Sequence, residues 1–299
     1  MDGILNISKP RGITSFGVVA RVRRLTGEKR VGHAGTLDPD ATGVLPVCLG
    51  KGTRVVEFLV DTTKVYRARI KLGITTDTGD RSGRIIRQQS TNGIGREHLE
   101  SRLSSFLGTI DQTPPMYSAV KYRGKRLYEL ARAGIDVERK SRPVQIYRLD
   151  LTEWQPPLAT LEIVCGKGTY VRSLVGDLGD VLGCGSTLEE LSRLRCGIFD
   201  IGEAVSLDFF DAACCSGCWH HLVYPVDTVL LEWPAVVVGN RDCRLIKNGQ
   251  TLPLETELEA GNNSPDSVYC RAYSLDGEFL GVLRFNAGNG RWQPVKVFV

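Results

Sequence analysis

Lys64-Val65-Tyr66-Arg67-Ala68-Arg69-Ile70-Lys71-Leu72 alternates without a break. Tyr66, Ala68, Ile70 and Leu72 fall on one side of an extended chain, and Val65, Arg67, Arg69 and Lys71 on the other, which is the period of a β-strand. Upstream, residues 3–7 read as a short strand and Lys9-Pro10-Arg11-Gly12 as a turn. Thr14 or Ser15 is placed to cap a helix carrying Phe16, Val19, Val22 and Leu25, and Leu45 to Leu49 resumes a strand. Downstream, residues 96–107 predict a helix with Leu99, Leu103, Phe106 and Leu107 inward, and 143–151 and 158–165 a strand pair. Val171, Leu174, Val175, Leu178, Val181 and Leu182 then have helical spacing, closed by Gly183. Strands and helices alternate irregularly, with no βαβ repeat and no internal period. The expectation is a mixed α+β domain, its sheet largely antiparallel and flanked by helices.

Composition shifts near residue 212. A Cys-rich stretch and Tyr224-Pro225 give way to short strand-like runs at 235–239, 242–246, 268–273 and 279–285, separated by turns. These predict a small C-terminal β-barrel. The 299 residues therefore divide into a larger domain, 1–230, and a smaller one, 231–299. With 42% hydrophobic and 24% charged residues, disorder, collagen and coiled coil are excluded as readings of the whole chain.

The net charge of +4 hides an asymmetry: residues 1–150 carry +12 and residues 151–299 carry −8. A split of this kind points to a polyanion partner for the first half. No run approaches the roughly 18 apolar residues of a membrane span, and the N-terminus lacks a signal-peptide pattern. Nine scattered cysteines then read as free thiols of a reduced, cytoplasmic protein. Cys214, Cys215, Cys218, His220 and His221 have spacing that zinc accepts, but no second ligand pair is evident, and a Cys-rich linker is the simpler reading.

Chemistry concentrates in the loop Gly32-His33-Ala34-Gly35-Thr36-Leu37-Asp38-Pro39-Asp40-Ala41-Thr42-Gly43. Its glycines allow tight turns and close approach of a ligand, and Pro39 stiffens the chain beside Asp38. A carboxylate so held suits a nucleophile or general base; an ordinary Asp-Pro turn fits the spacing equally well. With no paired second carboxylate, two-carboxylate glycoside hydrolysis has little support. Phosphate-loop, dinucleotide and zinc-protease motifs are absent. A second segment, 114–142, carries a net +5 with Tyr117, Tyr122 and Tyr128 interleaved. Cations neutralise phosphates and aromatic rings stack on bases, so this segment is the candidate RNA contact, against a solvated basic helix over packed tyrosines.

These residues resemble one family. The block Gly32 to Leu45 is similar to the catalytic motif of bacterial tRNA pseudouridine synthase B proteins. So are Leu5-Asn6-Ile7-x-Lys9-Pro10-x-Gly12-x-Thr14-Ser15 and Lys64-x-Tyr66-x-Ala68 to its first and second motifs. Gly73-x-x-Thr76-Asp77-Thr78-x-Asp80, Pro114-Pro115-x-Tyr117-Ser118-Ala119-Val120-Lys121, Gly168 to Leu174 and Leu191-x-Arg193-x-Arg195-x-Gly197 follow in order. The matches run from residue 3 to about 200, and the tail resembles the family's PUA RNA-binding module.

The resemblance implies isomerisation of the T-loop uridine, position 55 of tRNA, to pseudouridine, with the target base flipped out of its loop. No cofactor and no metal are implied. It gives Asp38 the place of the catalytic carboxylate, Tyr66 that of the residue stacking on the base, and Arg172 that of the carboxylate's partner. Leu191 would line the base pocket, His33 would take part in substrate recognition, and Tyr170 would pack beneath the site. Lys9 and Pro10 match a motif that supports the active-site loop. Lys121, Arg123 and Arg132 lie in a thumb-like insertion, 114–142, that would clamp the T-arm. The near-neutral tail would meet the acceptor stem through Arg241, Arg244 and Lys247, and a monomer is expected. Ser192 and Leu194 depart from the family's Leu-Arg-Arg-Thr-Arg run, and the Cys-His cluster has no counterpart in it. Two rivals remain open: an RNA-binding or tRNA-folding protein whose isomerase activity is secondary, and an N-glycoside hydrolase.

Overall fold

The computed structural model describes residues 1–253 and 268–299. The larger sheet begins with β1 (Gly3–Lys9), followed by α1 (Ser15–Thr26), β2 (Thr42–Leu49) and β3 (Lys64–Leu72). Next come α2 (Arg96–Leu103), β4 (Gly108–Gln112), β5 (Arg142–Gln155), β6 (Leu158–Cys165), α3 (Val171–Val181), β7 (Ser186–Cys196) and α4 (Leu207–Cys215). The long path across the sheet runs from a two-residue strand, Val205–Ser206, through β1, β2, β7, β3, β6 and β5 to β4. Only the pairings of β1 with Val205–Ser206 and of β2 with β7 on this path are parallel. The expected largely antiparallel α+β domain is thus present.

The opening stretch decides the layering. β3 sits inside the sheet, between β7 and β6, and its Tyr66, Ala68, Ile70 and Leu72 join Leu99, Leu103, Leu174, Val175 and Leu178 in one core. Helices α2 and α3 therefore cover the Tyr66 side. Alternation sends Arg67, Arg69 and Lys71 to the opposite side, where Arg67 lies between Glu162 and Ser192 and Arg69 between Thr160 and Glu190. A second core packs α1 and α4 on β1 and β2 through Val18, Val19, Val22 and Phe210.

Three helix expectations need correction. In α1, Thr14 is the cap, its Oγ1 accepting from Gly17 N at 2.9 Å, a cap worth about 1 kcal/mol. Phe16 is exposed, because Ser15 turns inward to bond Leu37 and so rotates the buried stripe onto Val18, Val19 and Val22. Leu107 is exposed because α2 stops at Leu103 and continues as a 3-10 turn, Ser104–Phe106, which breaks the 3.6-residue period. Val181, the last residue of α3, is also exposed.

The C-terminal module is a separate four-stranded sheet of β8 (Ala235–Val238), β9 (Tyr269–Ser274), β10 (Phe279–Asn286) and β11 (Arg291–Val297). The run 242–246 is not a strand: it lies in α5 (Asn240–Lys247), with Ile246 buried in the module's core. Nor is the Cys-rich stretch a plain linker. Cys214 and Cys215 end α4, Gly217 takes φ +69°, and Cys218 N–H donates to Ala213 O at 2.9 Å, the Schellman closure of a helix. The module packs on the larger domain: Phe58 meets Trp233 edge-on at 4.9 Å between centroids, and Lys296 pairs with Glu57 at 2.6 Å. Among the described residues no helix is long and apolar enough to cross a membrane.

Candidate active site

The loop from Ala34 to Ala41 joins the short edge strand Val31–His33 to β2, and side chains from three other elements hold it. Ser15, buried at the start of α1, bonds both backbone groups of Leu37: its Oγ donates to Leu37 O at 3.0 Å and accepts from Leu37 N at 2.8 Å. Lys9, at the end of β1 and without exposed surface, donates to Pro39 O at 3.0 Å, Ile13 O at 2.7 Å and Pro10 O at 2.9 Å. Gly12 N also donates to Pro39 O, at 2.9 Å. From β7, Arg193 donates through Nε to Val44 O at 2.7 Å and through Nη2 to Gly35 O at 3.0 Å. Asp38 thus stands between two residues, Leu37 and Pro39, whose backbones are fixed.

Gly43 makes the parallel approach of β2 and β7 possible. It pairs with Arg193 at φ +100°, and a Cβ there would collide with the Arg193 backbone. Only glycine meets both requirements without strain.

Arg172 reaches this loop from the first turn of α3. Its side chain is 6% exposed, that of Asp38 42%, and the two meet through Nε–Oδ2 at 3.0 Å and Nη2–Oδ1 at 3.3 Å. This is the two-point geometry that guanidinium and carboxylate favour. The remaining contacts of Arg172 are to Thr78 O at 3.3 Å, Tyr117 O at 2.7 Å and Asp80 Oδ2 at 3.7 Å. Asp80 is itself fixed by Thr78 Oγ1 at 2.7 Å and by Ser82 N at 3.0 Å. Removal of Asp38 from water pushes its carboxyl above the ordinary carboxylate range, Arg172 pulls it back down, and Asp80 adds to the rise.

Tyr66 is 9% exposed and shares a core with Leu37 and Ala41, against which Leu191 packs. Leu191 and Asp38 line one small cavity together with Ala41, Asp80 and Leu188. Burial lifts the Tyr66 phenol above its usual range, and the charge of Arg193, its cross-strand neighbour, acts against that lift. Asp38, Arg172 and Leu191 therefore come together directly, with Tyr66 joined to them through Leu37 and Ala41. Tyr170 precedes α3, its N–H donating to Gln112 Oε1 at 2.7 Å. His33 lies on the edge strand; among the described residues its buried Nδ1 has no hydrogen-bond partner, and burial together with Arg193 lowers its pKa, which favours the neutral ring.

Lys121 and Arg123 stand exposed on a small hairpin, Lys121–Tyr122 with Lys125–Arg126, and Arg132 on the short helix that follows, Leu127–Arg132. Arg123 lies 5.5 Å from the Tyr122 ring centre and Arg132 5.6 Å from that of Tyr128, so tyrosines and cations share one surface. A cleft of about 730 Å³ separates this insertion from α3, with Tyr117, Arg139 and Arg172 on its walls.

Asp80, Ser15 and Arg193 lie in quoted motifs, but their contacts were beyond sequence reasoning. A signal existed for Arg193: it stands next to Leu194 and two residues after Leu191, and a cation among apolar neighbours needs partners. No three His, Cys, Asp or Glu side chains among the described residues are grouped to hold a metal ion.

Comparison with known proteins converges. Residues 23–171 match the model of the TruB family pseudouridylate synthase N-terminal domain, and residues 172–231 that of the tRNA pseudouridylate synthase B C-terminal domain. The tRNA pseudouridine synthase B of Dehalococcoides mccartyi strain CBDB1 is 44% identical over 299 residues, covering 100% of this chain and 97% of that protein. The protein of the same name from Pseudomonas aeruginosa strain UCBPP-PA14 is 40% identical over 285 residues, covering 94% of this chain and 91% of the relative. Among solved structures, a chain of a Cbf5-Nop10-Gar1 complex superposes with a TM-score of 0.72 at 24% identity, covering 99% of this chain and 83% of that one, which shows a common fold.

Proposed function

The chain belongs to the TruB family of tRNA pseudouridine synthases, enzymes that isomerise uridine to pseudouridine in tRNA, and from that premise we propose that its target is the T-loop uridine at position 55, with Asp38 as the catalytic carboxylate. The observation that carries this reading is the Asp38–Arg172 pair: a half-exposed carboxylate, gripped at two points by a buried guanidinium, at a cavity lined by Leu191. An uncompensated arginine at that depth would be costly. Paired, it orients a carboxylate that opens toward that cavity.

In the reaction the bond between ribose C1′ and uracil N1 breaks and a bond from C1′ to C5 forms. The proton lost from C5 is matched by one gained at N1, so atoms and charge balance without oxidant or water. A uridine inside a folded loop cannot present its glycosidic bond to a side chain, so the base must flip out. Tyr66 and Leu191 would flank the flipped ring, and Asp38 would act on the base or sugar with its orientation fixed by Arg172. The cations of 121–132 would hold the T-arm backbone, and the C-terminal module, a PUA-like unit of residues 231–299, the acceptor stem. A single chain provides all of these groups, which supports action as a monomer.

Incubation with an unmodified T-arm stem-loop, followed by chemical mapping of pseudouridine and intact mass measurement, tests this. Pseudouridine at the T-loop uridine with unchanged RNA mass is the expected result. Release of free uracil would establish hydrolysis instead, and an unmodified T-loop uridine would refute the assignment.

A further inference from the structure

Arg193 is fully buried, 1% exposed, and lies in β7 directly across from Tyr66 of β3. Among the described residues its hydrogen bonds go to neutral carbonyls, Val44 O and Gly35 O, and it forms no ion pair. Buried guanidinium groups ordinarily sit against a carboxylate, because an unanswered charge in low dielectric is costly. Here the loop carbonyls answer only part of it. The titratable groups that its charge reaches are Tyr66 and Lys64 of β3, Cys165 of β6 and His33 of the edge strand. None of these is an anion at neutral pH, so the site keeps a net positive potential.

We propose that Arg193 is a positioning residue for the isomerisation. It ties the loop carrying Asp38 to the strand carrying Tyr66, and its uncompensated charge keeps the Tyr66 hydroxyl ready to share its proton as negative charge develops on the departing base. The proposal rests on the reading above, in which Tyr66 borders the flipped uracil. Its tie to the loop is geometric: Gly35 O and Val44 O bracket the segment that contains Asp38, and both bind the one guanidinium. Its effect on Tyr66 agrees with the direction in which Arg193 moves the buried phenol, against the lift from desolvation.

The test uses the full chain with Arg193→Gln and Arg193→Lys, each also labelled with 3-fluorotyrosine, the Tyr66 resonance being assigned by Tyr66→Phe. Arg193→Gln is expected to slow single-turnover pseudouridine formation at least tenfold with tRNA affinity within twofold of wild type. Its Tyr66 resonance should titrate at higher pH, and Arg193→Lys should restore both in part. A rate within twofold of wild type, or a slowed rate with an unmoved Tyr66 titration, overturns the proposal; the second outcome would mark Arg193 as a structural brace alone. If Arg193→Gln does not fold, Arg193→Lys decides, since it keeps the charge: a Tyr66 titration near that of wild type supports the proposal and a clear upward shift refutes it. Wild-type protein that forms no pseudouridine would refute the proposed function, while the Tyr66 titration would still report on Arg193.

Discussion

Lys9 Nζ donates to Pro39 O at 3.0 Å, so the end of the first strand grips the residue next to Asp38. Burial lowers the Lys9 pKa from 10.5 to about 8, against the pull of Asp38 and Asp40. As pH rises through about 8 the ammonium loses one of three donors and one of its three carbonyls loses its partner. Pseudouridine formation should therefore fall on the alkaline side near pH 8. Stability should move the opposite way: the unfolded chain binds more protons between about 8 and 10.5, so this group's contribution rises with pH in that window. Lys9→Met should cost about 1–3 kcal/mol at neutral pH through unpaired buried carbonyls and should flatten the alkaline limb. Rate profiles and urea melts at pH 7 and 10 check both; a limb unchanged in Lys9→Met would remove Lys9 as its cause.

Asp38 predicts the acid limb. Its carboxyl sits above the ordinary range mainly through desolvation, with Arg172 lowering it and Asp80 raising it. A mechanism that needs the carboxylate loses rate as pH falls through that raised value. Asp80→Asn removes a raising influence and should move the limb to lower pH; Arg172→Met removes the lowering one and should move it up, with kcat reduced by about 10²-fold or more through lost orientation. Asp38→Asn should abolish product while leaving tRNA binding within a few-fold. Single-turnover rates from pH 5 to 8 decide, and shifts of the opposite sign would contradict this account of the site.

The reach of sequence reasoning follows from what is periodic. β3 was legible to the residue, because every second side chain faces a core. Asp38 stands out because glycines and a proline surround it, whereas Arg172 is identified only through the resemblance of Gly168 to Leu174 to the family's motif. Phe16 was misjudged because Ser15 faces inward for a hydrogen bond to a residue 22 positions away, a demand no local period records. Asp80 and Arg193 escaped for the same reason: their contacts with Arg172 and with Gly35 and Val44 are set by strand order, here the parallel placement of β7 beside β2.

The exposed cations of the insertion predict salt dependence. If Lys121, Arg123 and Arg132 each neutralise one phosphate, mutating all three to alanine should reduce the slope of log affinity against log salt by about 2 to 3, at roughly 0.7–0.9 per contact. Because these side chains lie outside the Asp38–Arg172 pair, KM should rise while the single-turnover rate at saturating tRNA changes little. Filter binding from 50 to 300 mM salt measures the slope, and an unchanged slope would exclude these residues as phosphate contacts.

Gly43→Ala tests whether the close approach of β2 and β7 builds the site. Gly43 adopts φ +100°, and a methyl group there meets the backbone of Arg193 rather than a side chain that could swing aside. A left-handed conformation costs a non-glycine residue about 1–2 kcal/mol, and overpacking against rigid neighbours about 1–3 kcal/mol more. The variant should therefore lose about 2–5 kcal/mol in denaturant unfolding. If it folds, relief comes by separating the two strands, which pulls Arg193 from Gly35 O and Val44 O and loosens the loop that holds Asp38. Activity should then fall further than stability at the assay temperature explains, while binding through the distant insertion persists. A Gly43→Ala protein as active and as stable as wild type would show that the site does not depend on this contact.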